Sequence, residues 1–292
     1  MLTRAPSHAL GWVAAGALAA GLLAGCDRDR EPPDEPPAEL LHSAAMDPVD
    51  SGEAQIELDL MLQGNSLLVG PSRIALDGPF VLDEVGLPRF DLALDAEVAG
   101  FGIDGALVST GEDAFVVFFG ENYRVGAERV VAIEAQLAAA GGAGGGLGLD
   151  VASWFEQPRY AGEEEVGGTE TERIEATLRS EAVAQDLAGV AGALGAPALV
   201  QALAAGAESG PVDASVAFDD DTIRRLRAQF PFTVPVAQRG STSGITGGSV
   251  ALEAEISDAG SEAEIEPPSG GGFQPIEDLI RRLRDLASLG GL

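Results

Sequence analysis

An α+β fold is predicted by this sequence: a curved antiparallel sheet enclosing helices on its concave face. Three observations predict it. Apolar residues recur at every second position through much of residues 55–99, and again through 212–257. Between and after those stretches, other segments carry apolar residues at helical spacing. Strands in this number, held in one stretch from 44 to 292, twist and curl rather than lie flat. Amphipathic helices then bury their apolar stripe against the concave side of such a sheet.

The strands come first. In "QIELDLML" the apolar series is Ile56, Leu58, Leu60 and Leu62, with Glu57 and Asp59 between. In "RIALDGPFVLD" it is Ile74, Leu76, Phe80 and Leu82, with Gly78 at a bend. In "RFDLALDAEVA" it is Phe90, Leu92, Leu94, Ala96 and Val98, against Asp91, Asp95 and Glu97. Period two with one wet face is the pattern of antiparallel strands. "FGIDGALVSTGEDAFVVFFGENYRV" reads as two strands joined at "STGED". Its "AFVVFF" is apolar on both faces, so something must cover the outer side, and a helix is the simplest cover.

That helix is available in "GAERVVAIEAQLAAAG", which places Val130, Ile133 and Leu137 on one face. The run "GGAGGGLG", residues 141–148, ends it and predicts a mobile loop. "DVASWFEQPRY" follows as a short aromatic segment with Trp154, Phe155 and Tyr160. "VGGTETERIEATL" reads as a strand entered through a Gly-Gly turn. Residues 180–206 read as helix, with Val183, Leu187, Val190 and Leu194 on one face and Pro197 opening a second piece. Strands return in "VDASVAF", "RLRAQFPF" and "SVALEAEIS", the first two joined by a turn at "DDDT". "PIEDLIRRLRDL" closes the chain as a helix lined by Ile276, Leu279, Leu283 and Leu286.

The only cysteine, Cys26, lies between an apolar run and a charged, proline-rich one. Residues 1–8 carry Arg4, and residues 9–22 are apolar and uncharged. That run is short of the ~20 residues a membrane-spanning helix needs and fits a signal peptide. Leu23-Ala24-Gly25-Cys26 resembles a bacterial lipobox. The resemblance implies that residues 1–25 are a lipoprotein signal peptide and that Cys26 becomes a diacylglyceryl- and acyl-bearing (palmitate-type) N-terminus. Cys26 is then an anchor rather than a redox group. Asp27 follows it, similar to the enteric signal for staying on the inner membrane. Residues 26–43, "CDRDREPPDEPPAELLHS", read as the lipidated cysteine and a Pro-rich acidic tether, which leaves 44–292 as one domain. A tether of that length reaches ~50 Å.

Net charge is −30, all 17 basic residues are arginine, and 46% of the chain is hydrophobic. A chain this acidic is repelled by nucleic acid, so no nucleic-acid partner is expected. Enzyme signatures are sparse. Beyond the signal segment the only histidine is His42, so no Ser-His-Asp or Cys-His arrangement can be assembled in the domain. No His/Cys metal cluster, no G-x-S-x-G and no G-x-G-x-x-G strand–helix junction occurs. The plentiful carboxylates fall at alternate strand positions, where solvated faces fall. "FDDDT" suits a hairpin turn better than a calcium loop, because it lacks EF-hand spacing. The expectation is a non-enzyme with no catalytic residue, no metal and no cofactor beyond the acyl groups on Cys26.

The order of lipobox, tether, meander strands, helix, "SWFEQPRYAGEEEVGGTETERI", helices and the closing "GGSVALEAEISDAGSEAEIEPP" resembles the LppX/LprG lipoproteins. These in turn are similar in fold to the periplasmic carrier LolA. The resemblance covers about residues 44–288 and implies a LolA-like half-barrel around helices, with a hydrophobic cavity between. It implies binding and transport of lipid or acylated molecules at the periplasmic, extracytoplasmic face of the cell membrane. The ligand-cavity candidates are Leu58, Leu92, Phe118, Phe119, Trp154, Phe155 and Val250. For Leu58, Leu92, Phe119 and Val250, core packing and ligand contact are both open. Phe118, Trp154 and Phe155 suit either a mouth or a hydrophobic plug, with residues 141–162 as the gate. The competing reading is a non-carrier surface lipoprotein, an envelope interaction or structural module whose interior is filled. The two differ in the cavity: a carrier holds an open apolar pocket, and a structural module is solid and engages an envelope protein partner.

Overall fold

The computed structural model describes residues 35–64, 70–82, 87–98, 100–139, 151–183, 197–239, 244–270 and 272–289. Cys26, the glycine run 141–148 and residues 184–196 of the expected helical stretch lie outside the described residues. So do the side chains of Leu137, Leu283 and Leu286. Residues from Glu35 onward form one compact unit.

Twelve strands make a single curved, unclosed sheet. In chain order they are β1 (Ser51–Gly64), β2 (Gly70–Val81), β3 (Arg89–Val98), β4 (Phe101–Thr110), β5 (Ala114–Phe118) and β6 (Glu121–Arg124). Then come β7 (Phe155–Val166), β8 (Thr169–Leu178), β9 (Pro211–Ala217), β10 (Ile223–Thr233), β11 (Ile245–Ser257) and β12 (Gln274–Pro275). Their spatial order is β12-β6-β5-β4-β3-β2-β1-β11-β10-β9-β8-β7. Each neighbouring pair is antiparallel except β12 with β6. Two meanders therefore meet at β1 and β11, where Leu58 lies opposite Leu252. Among the described residues, the helices α1 (Pro37–Met46), α2 (Ala127–Ala139), α3 (Pro197–Gly206) and α4 (Ile276–Leu289) accompany the sheet. No described helix is long and apolar enough to cross a membrane.

The alternating segments form the strands expected of them. Glycine is required at Gly78, where φ is +148° and a Cβ would lie 2.1 Å from the Asp91 carbonyl oxygen of β3. The Gly167-Gly168 turn joins β7 to β8 with φ of +55° and +83°, values that cost glycine little.

Three local expectations are corrected. Residues 37–43 are not tether. They begin α1, with Pro37 in the first turn, where a missing N–H costs nothing. Leu40, Leu41 and Ala44 share one face of α1 and are buried, so the folded body starts near Glu35 rather than at residue 44. The segment from Phe155 is a strand, although it lacks strict alternation. Its pairing with β8 shifts register between Glu156 and Arg159 and again between Tyr160 and Gly162. Such bulges break period two and protect an edge strand from further pairing. Finally, the two faces of β5 are covered differently from expectation. Phe115 stacks on Phe273 at a centroid distance of 4.9 Å. On the opposite face, Val116 and Phe118 pack with Tyr123, Ile276 and Leu279. The C-terminal helix and the segment before it, rather than α2 alone, take up the apolar excess of "AFVVFF".

Candidate ligand-binding face

Cross-strand register builds one apolar face across the sheet. A first row runs Ile174, Ala214, Leu226, Ala254, Ile56, Leu76 and Leu94, from β8 to β3. Gly105 and then Phe118 continue it into β4 and β5. A second row runs Val212, Ala228, Leu252, Leu58, Ile74, Ala96 and Ile103. Side chains at alternate positions share a face, so each row presents its residues to the same side.

Burial divides this face into two halves. Under β8, β9 and β10 it is closed: Ile174, Ala214, Leu226, Val212 and Ala228 are all buried. Leu40, Leu41 and Ala44 of α1, Ala202 and Leu203 of α3, and Trp154 close that half. Across β11, β1, β2, β3 and β4 the same rows open. Leu252, Ala254, Ile56, Leu58, Ile74, Leu76, Leu94 and Ile103 are each only half-buried. A row of leucine and isoleucine left partly wet is unfavourable by ~25 cal/mol per Å² of apolar area exposed. Among the residues of these two rows in that half, only Ala96 is buried.

The candidate residues fall in different places. Leu58 lies on the half-open face, packed along one side against the closed core. Leu92 and Val250 are buried, Val250 within the core of the closed half. Phe118 is half-buried at the β5 end of the first row, against the α4 cluster. Phe119 is 68% exposed on the β5–β6 turn, edge-on to Phe118 at 4.6 Å. Trp154, 2% exposed, and Phe155 are core side chains of the closed half. They pack in the core that α1 and β8 share. Of the proposed gate 141–162, residues 141–150 lie outside the described residues. The half-open residues of β2, β4 and β11 were not singled out by sequence reasoning. Their alternation marked them as inward, but coverage depends on where the helices sit.

Polar groups bound the face at its α4 end. Tyr123 is buried, and its hydroxyl donates to Glu121 Oε2 at 2.6 Å. Arg282 Nη1 donates to the Tyr123 oxygen at 2.8 Å and also to Glu121. The hydrogen bonds from Tyr123 and Arg282 hold the Glu121 carboxyl below its ordinary range. Burial, then the Glu121 hydrogen bond, pushes the Tyr123 phenol up. On the opposite side of the sheet Glu57, Asp59, Asp213, Arg227 and Glu253 line a polar cleft of about 250 Å³. Ion pairs run across that side: Arg73 to Glu57 at 2.6 Å and Arg227 to Glu253 at 2.7 Å. One face of the sheet is thus apolar and half-open, and the other is charged and paired.

Solved structures similar to this chain include LprF from Mycobacterium bovis, at 14% identity and a TM-score of 0.45, covering 80% of this chain and 97% of that one. Another is the lipoprotein LppX from Mycobacterium tuberculosis, at 12% identity and a TM-score of 0.41, covering 78% and 96%. A third is a LolA superfamily protein from Nitrosomonas europaea, at 10% identity and a TM-score of 0.23, covering 77% and 95%. No protein-family model and no curated protein sequence matches the chain.

Proposed function

We propose that this chain is a membrane-anchored, extracytoplasmic lipoprotein that binds and carries lipid or acylated molecules on the apolar face of its sheet. One observation carries the reading. The rows through Ile56, Leu58, Ile74, Leu76 and Leu94 are apolar yet only half-buried, while the same rows are fully packed a few strands away. An alkyl chain laid across β11 to β4 would cover what the described helices leave open. Each CH₂ so buried contributes ~0.8 kcal/mol. Such a site takes ligands by the apolar area they bury and is indifferent to the details of a chain. The cavity lies between the concave side of the sheet and its helices, and the polar clasp of Glu121, Tyr123 and Arg282 marks its α4 end.

Cys26 is the anchor in this reading, carrying diacylglyceryl and acyl groups after removal of residues 1–25. Because α1 belongs to the folded body, only residues 27–34 separate the anchor from it. Extended, they span at most ~30 Å, well short of the ~50 Å that a tether ending at residue 43 allows. The domain therefore works close to the bilayer that supplies or receives its ligand.

Native mass spectrometry of the chain from Asp27 onward, purified from a bacterial host, tests the proposal. The expected result is a bound species of lipid mass, lost on organic extraction, and uptake of a fluorescent acyl probe by the extracted protein. A bare chain mass with no probe uptake overturns the carrier reading in favour of an envelope interaction module.

A further inference from the structure

Across the strands the apolar face has two ends, and they are built differently. At one end its rows run into the closed core under β10. At the other they run into β5. Leu94, Gly105 and Phe118 are consecutive members of the first row, on β3, β4 and β5. Gly105 puts no side chain into that row, and a larger residue does not fit, because a Cβ would run into the Val117 carbonyl oxygen. The row therefore drops to bare backbone at β4 and rises again at the phenyl ring of Phe118. From Ala254 on β11 to Phe118 there are five strand spacings, or ~24 Å.

The ring is braced from behind. Phe118 and Val116 pack on Tyr123, Ile276 and Leu279, a cluster that shares no residue with the core of the closed half. Phe119 meets Phe118 edge-on at 4.6 Å. Polar ties hold α4 at two points: Glu277 to Arg129 of α2 at 2.8 Å, and Arg282 to Tyr123 and Glu121. The result is a pinned apolar wall across the end of the row. The charges nearest it, Glu121 and Arg282, are paired with each other. Such a wall suits the methyl end of an alkyl chain. A charged headgroup brought there would lose hydration and find the adjacent charges already matched.

We propose that Phe118, backed by Leu279, is the end stop of the lipid-binding face. The methyl end of an acyl chain laid across the strands abuts it, and its position sets the longest chain accepted. The inference rests on the carrier reading and deepens it, by giving the bound chain a direction and a length limit. Phe118 acts by touching the ligand, and Leu279 acts by holding the ring. Apolar area still governs binding, but only up to the wall. Short of it, each added CH₂ raises affinity roughly fourfold. Beyond it, an added CH₂ has no apolar surface left to cover, and the gain stops.

The test uses the chain from Asp27 onward, which keeps the compact unit from Glu35. A fluorescent acyl probe is bound and then displaced by monoacylglycerols of rising saturated chain length, whose neutral headgroup avoids the net charge of −30. Expected in wild type is an affinity that climbs with length and then levels. Phe118→Ala should move the levelling point to longer chains and raise affinity for the longest roughly tenfold. Phe118→Trp, a larger stop, should move it to shorter chains. A purely structural role gives no such opposite shifts, because lost packing weakens every length alike. Melting temperatures show whether the variants are folded, and Phe118→Leu, with a shift of the same sign, replaces Phe118→Ala if that one is not. Probe uptake with an unmoved levelling point, or with all lengths weakened equally, overturns the end stop and leaves the carrier reading standing. No probe uptake by folded wild type overturns both.

Discussion

Arg282 of the C-terminal helix donates a 2.8 Å hydrogen bond to the hydroxyl of Tyr123, a buried residue of β6 that lies 159 positions earlier. The same phenol donates to Glu121, which Arg282 also contacts, and the guanidinium sits 5.9 Å above the Tyr123 ring. One arginine thus ties α4 to the β6 end of the sheet through a hydrogen bond, an ion pair and a cation–π contact.

This clasp predicts acid sensitivity. The Glu121 carboxyl titrates below its ordinary value of 4.5, first because Tyr123 donates to it and then because Arg282 does. A carboxyl depressed in the folded state contributes stability that is present above pH 4.5 and is lost as pH falls through the folded value. Thermal melts from pH 7 to pH 3 should show Glu121→Gln less stable than wild type near neutrality. The two should converge below pH 4.5. A gap that persists to pH 3 would mean that the substitution acts through packing.

Asp213 on the charged face predicts the opposite sign. It pairs across strands with Glu175 and Arg227. Burial raises its carboxyl above the ordinary 3.8, and the opposing pull of Arg227 does not cancel that. The stability it permits is fully present below pH 3.8 and is lost as pH rises through the folded value. Asp213→Asn should therefore melt higher than wild type at pH 7, with the gain vanishing as pH approaches 3.8.

Burial of α1 predicts the cost of removing it. Leu41 is 1% exposed in the core beside Trp154 and Ile174. Leu41→Ala should lower unfolding free energy by about 2–5 kcal/mol in chemical denaturation. A variant within 0.5 kcal/mol of wild type, the range usual for surface substitutions, would return residues 37–43 to the tether.

The two halves of the apolar face predict a dissociation of stability from binding. Leu76 is half-buried on the open half, and Ile174 is fully buried on the closed half. Leu76→Gln should weaken acyl-probe binding about tenfold or more with only a small shift in melting. Ile174→Ala should cost about 2–5 kcal/mol of stability and leave probe affinity little changed in the folded fraction. The reverse pattern would place the ligand on the closed half.

How much of this was legible in the sequence differs from element to element. "QIELDLML", "RFDLALDAEVA" and "SVALEAEIS" announce β1, β3 and β11 by alternation alone, because a pleated strand sends successive side chains to opposite faces. The helix over Ile276 and Leu279 and the break at Pro197 were equally plain. β7 was not, because two bulges and Pro158 break its period. Nor was α1, whose short stripe of Leu40, Leu41 and Ala44 follows a run of prolines and charges that reads as linker.

By itself, then, the sequence determined which residues face inward on each strand, since that follows from local backbone geometry. Only the tertiary structure decided that β1 meets β11, and that α1 and α3 close one half of the apolar face while the rows through Leu76 and Leu94 stay half-open. Strand partners and helix placement depend on contacts between residues far apart in the chain. A period of two carries no information about them, because every alternating strand offers the same apolar edge to any neighbour.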